Sequence, residues 1–295
     1  MHGGVSMDST ALLQHLFSLV IFGTNGTLSR YINLPSCGIV LYRTILAVLV
    51  LFTVFTLSGH KFTFLRHKRD LMFILLSGFV QSTEWLLMYE SYRHIDVGVA
   101  TLLTYCGPVI VIALSPIIFK ETLTVRKLAY LVVVLFGVLF LNRGVGGSGN
   151  IKFGLLCAGS SAFCYAGMVI CNKQSKHITG FENAVLQLSS CCFFSIVFTL
   201  LLTGDRPPVP EARLSQWLLV LLLGTVNTGF TCYLYFTTLS KLPAQVIAVS
   251  GYLEPLFAIV FSSLFLGERM SALQLLGCIM IIGGASRCIL EGRKL

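Results

Sequence analysis

Charge is scarce in this chain. Asp, Glu, Lys and Arg make up 11% of its 295 residues, where a soluble domain carries about 25%. So few charges cannot clothe a water-exposed surface, and the 55% of hydrophobic residues is too large a share to hide in one core of this size. Catalytic signatures are missing as well: the sequence has no Gly-x-Ser-x-Gly, no His-Glu-x-x-His and no phosphate-binding loop. No catalytic residue, cofactor or metal is therefore expected, and a membrane enzyme or a receptor is the least favoured class. Tryptophan is limited to two residues. Of the six histidines, His2, His60, His67, His94 and His177 are terminal or in loops, and His15 stands near the start of the first apolar run.

Ten cysteines are present, most of them inside apolar runs (Cys157, Cys164, Cys171, Cys191, Cys192, Cys232, Cys278). None is spaced as a zinc ligand, and buried thiols in such runs behave as small hydrophobes. The net charge of +9 does not indicate a nucleic-acid partner, because the basic residues lie in short loops and form no stripe interleaved with aromatics. The N-terminus lacks a basic n-region, and no small-residue cleavage site follows the first apolar run, so that run reads as a first span.

What the chain has in abundance is long apolar stretches, with a mean hydropathy of +0.84. About 20 mostly apolar residues are needed to cross a bilayer as a helix. Candidates fall at 11–29, 38–58, 71–93, 97–119, 125–142, 152–173, 181–203, 215–240, 244–266 and 272–290. The linkers are too short for a soluble domain, and two carry breakers, Gly144–Gly149 and Pro207–Pro210. With the N-terminus cytoplasmic, thirteen Lys and Arg residues fall inside and seven outside, with Arg43 within the second span. The cluster from Lys61 to Arg69 supplies most of this bias, which favours both termini inside.

The two halves repeat. At an offset of 147, Val99 aligns with Val246, Tyr105 with Tyr252, Pro108 with Pro255, Ile112 with Ile259, Ser115 with Ser262, Glu121 with Glu268, Leu128 with Leu275 and Gly137 with Gly284. Aliphatic matches are cheap in a membrane sequence; aligned Tyr, Pro, Glu and Gly are not. Five spans per repeat is an odd number, so the second copy would enter the membrane upside down. Inverted repeats are a mark of transporters, in which two related halves exchange roles between outward-open and inward-open states.

The segment Gly251-Tyr252-Leu253-Glu254-Pro255-Leu256-Phe257-Ala258, running on to Leu266-Gly267-Glu268-Arg269, Gln274, Gly277 and Gly283-Gly284, resembles the end of an EamA-type repeat of the drug/metabolite transporter superfamily. The first half carries a weaker version in Tyr105, Gly107-Pro108-Val109, Phe119-Lys120-Glu121 and Gly137. Phe22-Gly23-Thr24-Asn25 resembles the family's Trp-Gly-x-Asn opening with Phe for Trp, and Arg43 with Ala47 resembles the Arg-x-x-x-Ala of its second helix. Phe163-Cys164-Tyr165-Ala166 likewise has no Trp where many members have one. The resemblance implies an all-α integral membrane protein of ten transmembrane helices in two inverted repeats, 1–143 and 150–291. It also implies a central cavity lined mainly by helices one, three, four, six, eight and nine, and export of amino acids and other small metabolites or exchange of phosphorylated or nucleotide-linked solutes.

Ionisable groups inside spans are costly and commonly functional. Four stand out: Arg43, Glu84, Glu90 and Glu254. Glu84 has two readings, as the site of a substrate amine or coupling proton and as an ion-pair partner of Arg43. Glu254 either meets solute or holds the backbone that Pro255 disrupts; Glu90 and Arg93 read as interfacial. Pro108 and Pro255 are repeat-related candidate hinges, with Pro116 a further kink. Glu121 and Glu268 read as loop anchors or helix caps. Asn25, Trp85, Tyr89, Tyr92, Tyr105, Tyr165, Asn227, Tyr233, Tyr235 and Tyr252 are candidates to orient a small solute.

The leading reading is a secondary transporter working by alternating access in a bacterial inner membrane, exporting a small metabolite or amino acid, as a monomer or weak dimer. Its partners are the solute, the lipid bilayer and coupling protons. Uptake or antiport of a phosphorylated or nucleotide-linked solute is the alternative, weakened because only Arg43 is a cation clearly inside a span and away from its ends.

Overall fold

The computed structural model describes residues 8–29, 31–91, 93–95, 100, 103–104, 106–141, 150–204, 208–211, 213–266 and 271–292. Among the described residues the regular structure is helical, with no strand. Capping explains where both halves begin. Asp8 accepts the N–H groups of Thr10 (2.9 Å) and Ala11 (3.2 Å) to open α1, Ser9–Phe22. Asn150 accepts that of Phe153 (3.2 Å) to open α7, Ile151–Gln174. Each side-chain oxygen satisfies a donor that the first helical turn leaves without a partner.

After α1 come α2 (Asn25–Ser29), α3 (Ser36–Leu57), a short 3-10 turn at Phe64–Arg66, α4 (Lys68–Ser91), α5 (Cys106–Ile118) and α6 (Val125–Leu141). The second half continues from α7 with α8 (Gly180–Thr203), α9 (Leu214–Leu222), α10 (Thr231–Leu239), α11 (Ala244–Gly251), α12 (Leu253–Leu266) and α13 (Ala272–Gly292). A π-helical stretch, Leu223–Phe230, joins α9 to α10 without interruption. Among the described residues, five helices are long and apolar enough to cross a membrane: α3, α4, α7, α8 and the continuous run Leu214–Leu239. The remaining apolar stretches are shorter or divided. The first is split by a turn at Gly23–Thr24, and the ninth breaks at Tyr252, three residues before Pro255. Proline lacks the N–H that would continue the ladder one turn back. Residues 97–99 of the fourth stretch lie outside the described residues.

Successive apolar stretches, with α1–α2, α9–α10 and α11–α12 each counted as one, run in alternating directions between two ends of one bundle, marked by the bonds Thr63–Glu182, Lys176–Asp70 and Ala244–Glu121 at one end and Asn33–Gln216 at the other. The near end holds Asp8, the 58–67 loop, Glu121, the 175–179 turn and Pro243; the far end holds 31–35, 93–95 and 208–211. Packing comes in matched sets. The third long segment of the first half, α4, lies against α7 and α8, while its counterpart α9–α10 lies against α1 and α3. Helix α5 meets α7 and α11, α12 meets α1, and α6 pairs with α13. Close approach is bought with small residues. A Cβ on Gly78 of α4 would fall 2.7 Å from the Gln187 carbonyl of α8, and one on Gly224 would fall 2.5 Å from Leu46 Cβ of α3.

Buried amides knit α4, α7 and α8. Asn172 Nδ2 donates to Asn183 Oδ1 and Gln187 Oε1, both at 3.1 Å; Asn183 Nδ2 returns a bond to Asn172 Oδ1 at 2.9 Å. Gln187 Nε2 then donates to Gln81 Oε1 at 2.9 Å. Each amide would be expensive to bury unpaired. Outward-facing positions are Leu, Ile, Val and Phe, as at Leu49, Leu156, Phe163, Leu201 and Leu264, a surface that suits lipid tails and not water.

Candidate functional site

Arg43 is the charge around which the bundle centre is organised. It sits on α3, 2% exposed, and its fork of donors is divided between the two halves. Nε donates to Thr228 Oγ1 of the π-helical stretch at 3.0 Å, and Nη1 donates to Tyr89 Oη of α4 at 3.2 Å. The guanidinium carbon lies 4.1 Å from the centre of the Trp85 ring, a cation–π distance. Thr228 is held in turn by donating to the Leu223 carbonyl at 2.7 Å. That side-chain bond reaches back five residues, across the π-helical turn; such turns are common at functional sites.

Two acidic groups lie within electrostatic reach of this cation. Glu84, on α4 one residue before Trp85, is 5% exposed. Glu254 lies in the first turn of α12, just past the break at Tyr252. Glu84, Glu254 and Arg43 are electrostatic neighbours of one another. The centre thus gathers one guanidinium and two acidic groups from α3, α4 and α12, two elements of the first half and one of the second.

A tyrosine pair lies beside them. Tyr165 of α7 and Tyr235 of α10 bring their hydroxyls to 3.4 Å, and Tyr165 is an electrostatic neighbour of both Glu84 and Glu254. Tyr165 Oη is also 3.4 Å from where a Cβ on Gly251 would stand, so the pair abuts the break between α11 and α12. Tyr252, at the break, is fully buried. Asn227, on the π-helical stretch, donates to Thr24 Oγ1 at 2.5 Å and to the Ile21 carbonyl at 3.3 Å, tying this segment to the turn between α1 and α2.

The structure thus brings Arg43, Glu84, Trp85, Tyr89, Tyr165, Tyr235 and Glu254 together. Asn25 directly follows Thr24, a partner of Asn227, and its Oδ1 is buried without a hydrogen-bond partner. Tyr105 and Tyr92 lie outside the described residues, as does Glu268. Tyr233 instead packs edge-on to Phe181 at 4.8 Å. Pro108 lies in α5, with 103 and 104 helical before it and 105 outside the described residues. Glu90 pairs at the far end with Arg93 (3.6 Å) and His94 (3.2 Å).

Sequence reasoning overlooked Thr228, whose hydroxyl is one of many in apolar runs, and undervalued His15. His15 is fully buried, with Nδ1 3.3 Å from Thr238 Oγ1 and its ring 5.0 Å from that of Tyr235. Its depth in α1, two turns from the cap, was the available signal.

Comparison with known proteins bears on both halves. The model of the EamA-like transporter family matches residues 9–143 and again 152–287. The chain is 29% identical over 280 residues to "Uncharacterized transporter YxxF" of Bacillus subtilis (strain 168), covering 94% of this chain and 88% of the relative. It is 22% identical over 259 residues to "Pseudopaline exporter CntI" of Pseudomonas aeruginosa (strain UCBPP-PA14), covering 85% and 84%. A crystal structure of a protein 17% identical in sequence superposes with a TM-score of 0.81 over 97% of this chain and 99% of the other, a likeness of fold.

Proposed function

The chain belongs to the EamA-like transporter family of the drug/metabolite transporter superfamily, and we propose that it is a secondary transporter exporting small metabolites such as amino acids by alternating access. The observation that carries this reading is the convergence of Arg43, Glu84 and Glu254 at the bundle centre. One guanidinium matches a solute carboxylate, and a pair of acidic groups matches an amine or a coupling proton. Phosphorylated solutes, with two or more negative charges, would call for more cations than Arg43 alone. The aromatic walls Trp85, Tyr89, Tyr165 and Tyr235 exclude water around these groups, and Asn25, Asn227, Tyr105 and Tyr252 complete the proposed lining.

Alternating access fits a chain whose repeats, 1–143 and 150–291, are taken as inverted copies with five spans each. Matched packing supports this: every principal contact between α4 and the second half has a counterpart between α9–α10 and the first. Pro108 and Pro255 are the proposed hinges. The basic residues Lys61, Arg66, Lys68, Arg69, Lys120, Arg126, Lys127, Lys173, Lys176 and Lys241 all belong to the near end. The near end is therefore assigned to the cytoplasm, with both termini there and the protein in a bacterial inner membrane as a monomer or weak dimer.

The test compares all metabolites in medium and cells with and without expression, with Arg43→Ala as control, and then measures flux in proteoliposomes of the purified protein. A compound enriched outside only with intact protein supports export and names the solute. Accumulation inside reverses the direction, and absence of any flux overturns the reading.

A further inference from the structure

Glu121 is a charged side chain that the central site does not use. It sits in the turn between α5 and α6 and reaches into the other half. Its Oε1 accepts the Ala244 N–H at 2.6 Å and its Oε2 accepts the Gln245 N–H at 3.1 Å. These are the first amides of α11, left without helical acceptors, and a carboxylate at a helix start also suits the helix dipole.

The grip is braced on every side. Gln245, 3% exposed, accepts a bond from Lys127 Nζ at 2.8 Å and donates through Nε2 to Ser115 Oγ at 2.9 Å. Lys127 Nζ also donates to the Thr122 carbonyl at 3.1 Å. From α7, Lys173 Nζ donates to the carbonyls of Leu239 (3.0 Å) and Leu242 (2.6 Å), closing the turn that leads into α11, and it stands 5.5 Å from the centre of the Phe119 ring. Glu121 is its electrostatic neighbour. Four elements of the near end thus meet around one carboxylate.

Helix α11 spans only Ala244–Gly251 and ends at the break before Glu254. At about 1.5 Å per residue it is a rigid rod of about 12 Å, so displacing its first turn displaces Glu254 relative to Arg43 and Glu84. We propose that Glu121 is a positioning residue of the transport cycle: bound to Ala244 and Gln245 it holds the near end closed and Glu254 in register with the central charges, and release of this grip opens the near end while the far end closes. The proposal rests on the chain being an alternating-access transporter.

The test uses hydrogen–deuterium exchange of the full-length protein in lipid nanodiscs, resolved to single amides. The Ala244 and Gln245 amides report on the near end. The Asn33 amide, which donates to Gln216 Oε1 at 2.9 Å, reports on the far end. For Glu121→Gln the expected result is at least tenfold faster exchange at Ala244 and Gln245 together with slower exchange at Asn33. Lys127→Met, which removes the bonds to Gln245 and to the Thr122 carbonyl but leaves the Glu121 carboxylate in place, is expected to act in the same directions more weakly, and it carries the test if Glu121→Gln does not fold. Faster exchange at both ends would mean mere loosening and overturns the proposal, as does any change at Ala244 without the opposite change at Asn33, or no change at all. The readout needs no solute, so its failure is distinct from failure to find flux.

Discussion

Gly137 and Gly284, 147 positions apart, each lie in the groove of the helix that carries the other. A Cβ on Gly137 would fall 2.8 Å from both the Gly277 carbonyl oxygen and Ile281 Cγ1. A Cβ on Gly284 would fall 2.9 Å from the Tyr130 carbonyl oxygen and 2.7 Å from Val134 Cγ2. Tyr130 and Gly277 are also 147 apart, as are Val134 and Ile281. The two contacts are the same contact made twice, with α6 and α13 exchanging roles, which is how a twofold relation between halves registers in packing.

This reciprocity predicts equal sensitivity. Gly137→Leu and Gly284→Leu each force backbones apart and are expected to destabilise by about 1–3 kcal/mol. Gly283→Leu serves as control, because nothing lies within 4 Å of a Cβ there. Thermal unfolding in detergent checks this. A loss for one of the pair with none for the other would refute equivalence of the two helices.

Some of this was legible in the chain and some was not. The aligned Tyr, Pro, Glu and Gly residues located the repeat, and rarity of in-span charge located Arg43, Glu84 and Glu254. Thr228 was not legible, because its role depends on a π-helical turn that no local pattern announces and on a partner 185 residues away. Glu121 was read as a loop anchor or a cap; that it caps a helix of the other half, 123 residues on, follows only once the halves are packed. The Asn172, Asn183 and Gln187 ladder was missed because isolated amides in apolar runs carry no period.

Arg43 offers a second prediction. Arg43→Lys keeps the charge but cannot serve Thr228, Tyr89 and the Trp85 face together. Losing one charge-assisted hydrogen bond costs about 1.5–3 kcal/mol, so counterflow should fall at least about tenfold. Tyr89→Phe keeps the ring and removes the hydroxyl contact, and a smaller, several-fold loss is expected. Solute counterflow at matched protein levels is the measurement; full activity of Arg43→Lys would remove this side chain from the site.

Glu84 separates binding from coupling. If it carries the coupling proton, Glu84→Gln abolishes accumulation driven by a pH gradient yet retains solute exchange at zero gradient. Were it a binding group only, both would fall together. Parallel assays of gradient-driven uptake and counterflow in proteoliposomes distinguish the outcomes, and an unchanged pH dependence sinks the coupling role.

Orientation is testable by thiol labelling. Cys288 is too buried, at 3% exposed, to report. Lys61 at the near end and Val209 at the far end are exposed. In a Cys106→Ser background, an impermeant maleimide added to intact cells should label Val209→Cys and spare Lys61→Cys. The reverse pattern would place the near end outside.

The repeat makes a final, directional prediction. Glu268 lies outside the described residues, but it holds the register of Glu121, 147 positions on. In an inverted copy, a residue that grips one end in the first half grips the opposite end in the second. Glu268→Gln should therefore slow exchange at Ala244 and Gln245 and quicken it at Asn33, the reverse of Glu121→Gln. The two gates need not be equal, since Lys127 aligns with Gln274 and Gln245 with Gly98, so the brace on the near end has no counterpart of the same chemistry. The near end should accordingly be the more firmly closed of the two, with Glu268→Gln producing the smaller shift. Shifts of the same sign from both variants would show that the halves do not open by turns.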